Sequence, residues 1–182
     1  MDDRRQPGTV EVGAQAIDAA LLARARAVRL LTCDVDGVLT DGRIHVDDTG
    51  RETKAFHALD GVGFRRLAAI GVTVGWITGS GSASVGHRAR MLGIAHVVLG
   101  ADDKRPAWDR LRAALGVAPH ECAHIGDDLP DLPLLDACGF SASVPDAPDE
   151  VKRRVHYVTR RRGGHGAARE LADLIVAARA SA

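Results

Sequence analysis

Asp34 and Asp36 close the apolar run Leu30-Leu-Thr-Cys33, with one residue between them, and Gly37 follows at once. Two carboxylates this close repel unless a cation lies between them, and oxygen ligands favour a hard divalent ion, typically Mg²⁺. Three later apolar runs end in groups of complementary type. Val72–Ile77 runs into Thr78-Gly79-Ser80, Ala95–Leu99 is followed by Lys104, and Cys122–Ile125 ends at Gly126-Asp127-Asp128, with Asp131 one turn on. Together these offer a metal-binding carboxylate cluster, a hydroxyl and one ammonium. Transfer of a phosphoryl group uses such a set. One carboxylate attacks phosphorus, another carboxylic acid protonates the leaving oxygen, and a cation and a lysine offset charge on the equatorial oxygens. Singly, each element reads as a turn, a surface lysine or a capped loop. Their order, one after each successive strand, has no such explanation in a purely structural chain.

Positioning these groups takes an α/β sheet, because such sheets keep their ligand site at the carboxyl ends of their strands. The pattern predicts strands at Leu30–Val35, Val72–Ile77, Ala95–Leu99, Cys122–Ile125 and Gly139–Ser143, with a sixth at Val155–Val158. Helices are expected at Ala14–Val28, Asp60–Ile70, Ser82–Leu92, Lys104–Leu115, Leu129–Ala137 and about Gly166–Ala178, with a helical turn at Asp149–Arg154. Alternating strands and helices predict a parallel sheet covered on both faces. Two short alternating runs flank Asp47-Asp48-Thr49-Gly50, a hairpin signal that predicts a flap projecting between the first strand and its helix. Residues 1–13 read as a disordered tail and 14–182 as one domain.

Composition narrows the function further. The 182 residues carry 24 Lys+Arg and 24 Asp+Glu, a formal net charge of zero that gives no electrostatic argument for nucleic acid or an anionic membrane. Aromatic residues are 3% of the chain, too few for base-stacking platforms. Cys33, Cys122 and Cys138 form no disulfide framework or zinc pattern, which favours reduced thiols and a cytoplasmic location. No apolar run reaches the ~18 residues of a membrane span. Of the histidines, His57 and His165 are left open as ligand contacts. His45, His87, His96, His120, His124 and His156 show no metal-ligand spacing and read as structural or surface groups.

Asp34-Val-Asp36-Gly-Val-Leu-Thr40, Thr78, Lys104 and Gly126-Asp127-Asp128-Leu-Pro-Asp131 resemble the four motifs of the haloacid dehalogenase superfamily of phosphatases. Thr40-Asp41-Gly42, Lys54-Ala55-Phe56, Asp60-Gly61-Val62-Gly63 and Gly163-Gly-His-Gly-Ala-Ala-Arg169-Glu170 narrow the resemblance to the subfamily without a cap domain, that of 3-deoxy-D-manno-octulosonate 8-phosphate phosphatase. It implies a Rossmann-like three-layer α/β/α fold with a hairpin flap, and a Mg²⁺-dependent phosphomonoesterase. In that pattern Asp34 is the nucleophile and a metal ligand. Asp36 is the general acid and base and binds the metal through its backbone carbonyl, and Asp127 is the third protein ligand. Asp128 and Asp131 support the metal through water or hydrogen bonds, while Thr78 and Lys104 hold the phosphoryl oxygens. The resemblance also implies a homotetramer whose flaps meet centrally and whose sites are shared between subunits. His57, Ala58, Leu59, Asp60, Gly61, Arg65, Ser80, Arg88 and the Gly163–Gly166 tail would then face substrate.

Two positions depart from the subfamily. It tends to read Thr-Gly-Arg where this chain has Thr78-Gly79-Ser80, and Asn-Val-Arg-Asp-Gly where this chain has His57-Ala-Leu-Asp-Gly61. Arginine is the usual bidentate partner of a carboxylate. Arg160-Arg161-Arg162 reads as a solvated basic run, or else as charge that compensates for the lost arginines; Ser80 and the apolar Ala58-Leu59 make a sugar-nucleoside phosphate an alternative substrate. A non-catalytic tetrameric binding protein and a phosphomutase are the alternatives of other classes. The intact acids oppose the first. The short hairpin opposes the second, because a mutase needs a cap to exclude water.

Overall fold

The computed structural model describes residues 10–12 and 15–180. At its centre is a six-stranded parallel sheet of β3 (Leu30–Cys33), β6 (Thr73–Ile77), β7 (His96–Val98), β8 (Cys122–Ile125), β9 (Phe140–Ser143) and β10 (Tyr157–Val158), in the order β10-β9-β8-β3-β6-β7. β3 lies between β6 and β8, with Cys33 opposite Trp76 on one side and Ile125 on the other. From β3 the chain builds outward through β6 to β7 and then returns to β8 on the opposite flank. Such a reversal opens a crevice at the strands' carboxyl ends.

All four residues of β3 are buried, because each face of a central parallel strand is covered by helices. Alternation along β3 and β8 sends side chains to opposite layers. Leu31, Cys33, Ala123 and Ile125 join the larger core, with residues of α1 (Ala19–Ala27), α2 (Ala58–Ala69), α3 (Ala83–Leu92) and α7 (Ala167–Ala180). Leu30 and Cys122 join the other core, with Ala107 and Trp108 of α4 (Lys104–Ala114) and Leu134 of α5 (Leu132–Leu135). Thr32 and His124 share this second face by the same period of two.

Each predicted strand and helix of the sheet region is present with ends displaced by a few residues, as fraying and cap geometry allow. The predicted Leu129–Ala137 helix divides into a 3₁₀ turn, Leu129–Asp131, and the short α5. The amino-terminal expectation needs correction. The helix predicted from Ala14 starts at Ala19, where Asp18 caps it by accepting from Leu21 N at 2.7 Å. Before it, β1 (Val10–Val12), placed in the predicted disordered tail, pairs antiparallel with β2 (Gln15–Ile17). Backbone pairing overrides the helical spacing that Ile17 shares with Leu21. Residues 1–9, 13 and 14 lie outside the described residues.

The flap is the hairpin of β4 (His45–Val46) and β5 (Glu52–Thr53). Asp47 shapes its turn, Oδ1 accepting from Thr49 N and Arg51 N at 2.9 Å each. Ile44 and Val46 stand 70% and 61% exposed, without apolar cover among the described residues. Among the described residues no segment forms a cap domain over the sheet's carboxyl end.

Candidate active site

Asp34 is the first residue beyond β3. Its N–H donates to Ile125 O at 2.9 Å, which fixes its backbone where β3 and β8 part. Lys104 opens α4 on the neighbouring side of the crevice, its helix capped by Asp103. The Lys104 ammonium donates to Asp34 Oδ1 and to Asp131 Oδ1, both at 2.7 Å, and is buried. Asp131 closes the 3₁₀ turn and accepts on both oxygens. His124 Nε2 lies 3.1 Å from Oδ1, and the backbone N–H groups of Asp127 and Asp128 reach Oδ2 at 3.2 and 3.4 Å. His124 is held in turn by the Thr32 hydroxyl, 2.9 Å from Nδ1. A proton on Nε2 serves Asp131, and the Thr32 hydroxyl, which also donates to Ala123 O at 3.2 Å, sets the ring's position from the other side.

Asp34, Asp127 and Asp131 each offer one oxygen, all within 4.8 Å of one another. Burial raises Asp34, with Asp131 adding to it and Lys104 opposing. Burial, then the charges of Asp34 and Asp131, push Asp127 up to about 8. Asp131 goes the other way. Burial would raise it, but the His124 hydrogen bond and the Lys104 ammonium draw it down to about 2. One acid is thus firmly ionised, and two neighbours resist joining it. A divalent cation among them removes that resistance, and the all-oxygen donor set suits Mg²⁺. Gly37 leaves the space open. At φ +89°, a Cβ there would fall 2.0 Å from Asp127 Oδ2.

Asp36 sends its carboxylate elsewhere, to Lys54 Nζ of the flap at 2.5 Å. Thr78 is buried at the end of β6, its N–H bonded to Val98 O at 3.0 Å and its hydroxyl oxygen accepting from Ser80 N at 3.0 Å. Asp128 caps the 3₁₀ turn by accepting from Leu129 N at 2.8 Å. Asp34, Asp36, Thr78, Ser80, Lys104, Asp127, Asp128 and Asp131 line one cavity of about 340 Å³, together with Gly79, Ala101, Asp102 and Pro130. It is open, charged and large enough for a phosphoryl group and part of its ester.

The remaining expected substrate contacts do not enter this cavity within one chain. His57 is the N-cap of α2, its Nδ1 accepting from Leu59 N at 3.3 Å, and Ala58 and Leu59 form the first turn, with Leu59 exposed. Asp60 is buried, with Oδ1 accepting from Arg169 N at 2.8 Å, and burial pushes it up to about 6. Asp60 thus ties α2 to α7. Gly61 packs on Leu92. Arg88 borders a small cavity with Asp60 and Trp76. Arg65 lines another, beside Thr73 and His96 at the start of β6 and β7. The reason is geometric. α2 runs back from the acids' end of the sheet, and its second turn has already descended. The tail glycines pack inward as well, since a Cβ on Gly163 would lie 1.7 Å from Gly37 O.

The sequence reading missed His124 and Thr32 as supports of Asp131, and Lys54 as a partner of Asp36. A histidine inside a wholly buried strand was the available signal, because a buried polar ring requires a partner. Asp131, given a supporting role on the resemblance, also offers one oxygen to the three-acid group.

A doubly covered parallel sheet with its acids, threonine and lysine on four successive strand ends defines a phosphohydrolase of the haloacid dehalogenase class. The family model of haloacid dehalogenase-like hydrolases matches residues 92–171. Among curated proteins, the chain is 44% identical to the 3-deoxy-D-manno-octulosonate 8-phosphate phosphatase of Yersinia pestis, over 87% of this chain and 84% of that one. A crystal structure of that phosphatase from Yersinia pestis superimposes with a TM-score of 0.93 at 40% identity, covering 95% of this chain and 94% of that one. The Moraxella catarrhalis phosphatase, solved with magnesium, phosphate and KDO, superimposes at 0.86 and 42% identity, covering 88% and 92%. The chain belongs to the 3-deoxy-D-manno-octulosonate 8-phosphate phosphatase family, and it is a phosphoric monoester hydrolase.

Proposed function

We propose that this enzyme hydrolyses 3-deoxy-D-manno-octulosonate 8-phosphate, or a closely related phosphorylated sugar acid, through an aspartyl phosphate on Asp34. The observation that carries the reading is the single cavity in which Asp34, Asp36, Thr78, Lys104 and Asp127 meet. Relatives named for this substrate at 40–44% identity support it. Asp34 attacks phosphorus, and the P–O bond to the sugar breaks. Asp36 delivers a proton to the departing oxygen, then takes one from the water that hydrolyses the acyl phosphate. Lys104 and Thr78 hold equatorial oxygens. Asp34, Asp127 and the Asp36 backbone carbonyl would hold Mg²⁺, with Asp128 and Asp131 in support, and the ion would supply positive charge against the phosphoryl oxygens.

The exposed Ile44 and Val46 support a homotetramer in which flaps pack together and each cavity is completed by a neighbour. In that assembly His57, Ala58 and Leu59 at the start of α2, with Arg88, read the sugar from outside the chain that holds the acids, whereas Asp60 and Gly61 are buried in their own chain and Arg65 lies at the opposite end of the sheet. Residues 14–182 form one phosphatase domain in this reading. The three free, buried cysteines support a cytoplasmic location, and no helix among the described residues is long and apolar enough to cross a membrane.

The test is phosphate release with Mg²⁺ from octulosonate 8-phosphate beside a panel of sugar and sugar-nucleoside monophosphates. The octulosonate ester should give the highest kcat/KM. Preference for a nucleoside ester would transfer the assignment to the alternative that Ser80 and exposed Leu59 raise, and no release from any ester would end the reading.

A further inference from the structure

The proposed reaction uses Asp36 twice, and the flap holds it. The Asp36 carboxylate lies outside the Asp34–Asp127–Asp131 group. Its Oδ1 accepts from Lys54 Nζ at 2.5 Å, and Glu52 Oε1 lies 2.6 Å from the same ammonium. The Lys54 side chain is 2% exposed, while that of Asp36 is 32% exposed toward the cavity it lines. Alternating exposure through β5 and on into the residues that follow it accompanies the arrangement. Glu52, Lys54 and Phe56 alternate with the exposed Thr53 and Ala55. Phe56 stacks on Trp76, with centroids 6.1 Å apart and planes 11° from parallel, which anchors the strand's end on β6 two residues before Thr78.

We infer that Lys54 is a positioning residue for Asp36. An aspartate carboxyl rotates broadly about its last torsion. A buried ammonium on Oδ1 removes that freedom through a charge-assisted bond and leaves Oδ2 to meet the leaving oxygen. An exposed lysine would contribute little, since surface pairs are screened and floppy. This one is desolvated, so separating it from its carboxylates is costly and the pair persists. The flap thereby acts on proton delivery. The inference rests on the phosphatase reading.

The test compares Lys54→Met and Lys54→Arg with wild type on phosphate monoesters whose leaving groups run from acidic phenols to alkyl alcohols. The readout is kcat/KM, which reports the steps up to departure of the alcohol. A nitrophenolate leaves without a proton; a sugar alkoxide does not. Lys54→Met should lose ~10–100-fold on alkyl esters and under ~3-fold on nitrophenyl phosphate, a steeper dependence on leaving-group acidity. Lys54→Arg should restore most of the alkyl-ester rate. Should the methionine variant fail to fold by circular dichroism, Lys54→Gln should show the same steepening. An equal loss across the series, or none, overturns the positioning role and leaves the phosphatase reading standing. A wild-type protein inactive on every ester overturns both.

Discussion

Asp127 shows how the acids depend on a cation. Burial and two carboxylate neighbours push it up to about 8, so without metal it keeps its proton through neutral pH. Mg²⁺ must displace that proton. The expected outcome is Mg²⁺ affinity that rises with pH and levels above about 8, with protons released on binding; calorimetry in buffers of different ionisation enthalpy measures both. Asp131, drawn down to about 2, contributes no such dependence in that range. Asp34 is the group whose loss is least forgivable, because in the proposed reaction it is the nucleophile itself. Asp34→Asn keeps the shape and a hydrogen-bond acceptor for Lys104, so the fold should persist by circular dichroism while phosphate release falls by at least ~10³-fold.

Among the elements, the turn after β3 and the tail before α7 act as one piece. Gly164 N donates to Val38 O at 3.0 Å, and Gly163 lies against Gly37 O and Thr40 O. A methyl at Gly163 must move the turn that carries Asp36. Gly163→Ala should therefore cost ~1–3 kcal/mol in chemical denaturation and lower kcat, although residue 163 touches no reacting group. The glycine run was legible in the sequence as a motif, but its partner was not. Residues 37 and 163 meet only because α7 returns across the sheet against α1 and α2. The same limit hid Lys54, whose alternation with Glu52 marked a strand face and not what the face would meet.

At the scale of the whole molecule, the proposed assembly, a site completed by another subunit, accounts for both the exposed apolar flap and the position of His57–Leu59 outside the acid cavity. Replacing Ile44 and Val46, which stand 70% and 61% exposed, with lysine should leave each chain folded. In sedimentation the assembly should fall below a tetramer, and KM for the sugar ester should rise as the neighbour's contacts are lost. A doubly substituted protein that sediments as a tetramer with unchanged KM would place the interface elsewhere.

The sequence by itself determined the layer architecture and which polar residues stand at the strand ends. Buried strands announce themselves through continuous apolar runs, and polar residues at four such run ends in succession have one economical use. Local pattern carries that information because strand, turn and cap preferences act over a few residues. Tertiary structure alone decided which groups support the acids. Thr32, His124, Lys104 and Asp131 come from four elements and meet because a period of two places the first pair on the face that α4 covers. It also decided that Asp36 faces a lysine from the flap, that the tail closes on the turn after β3, and that Arg65 descends away from the acids. Each is a contact across long sequence separation, set by sheet order and helix direction, about which neighbouring residues are silent.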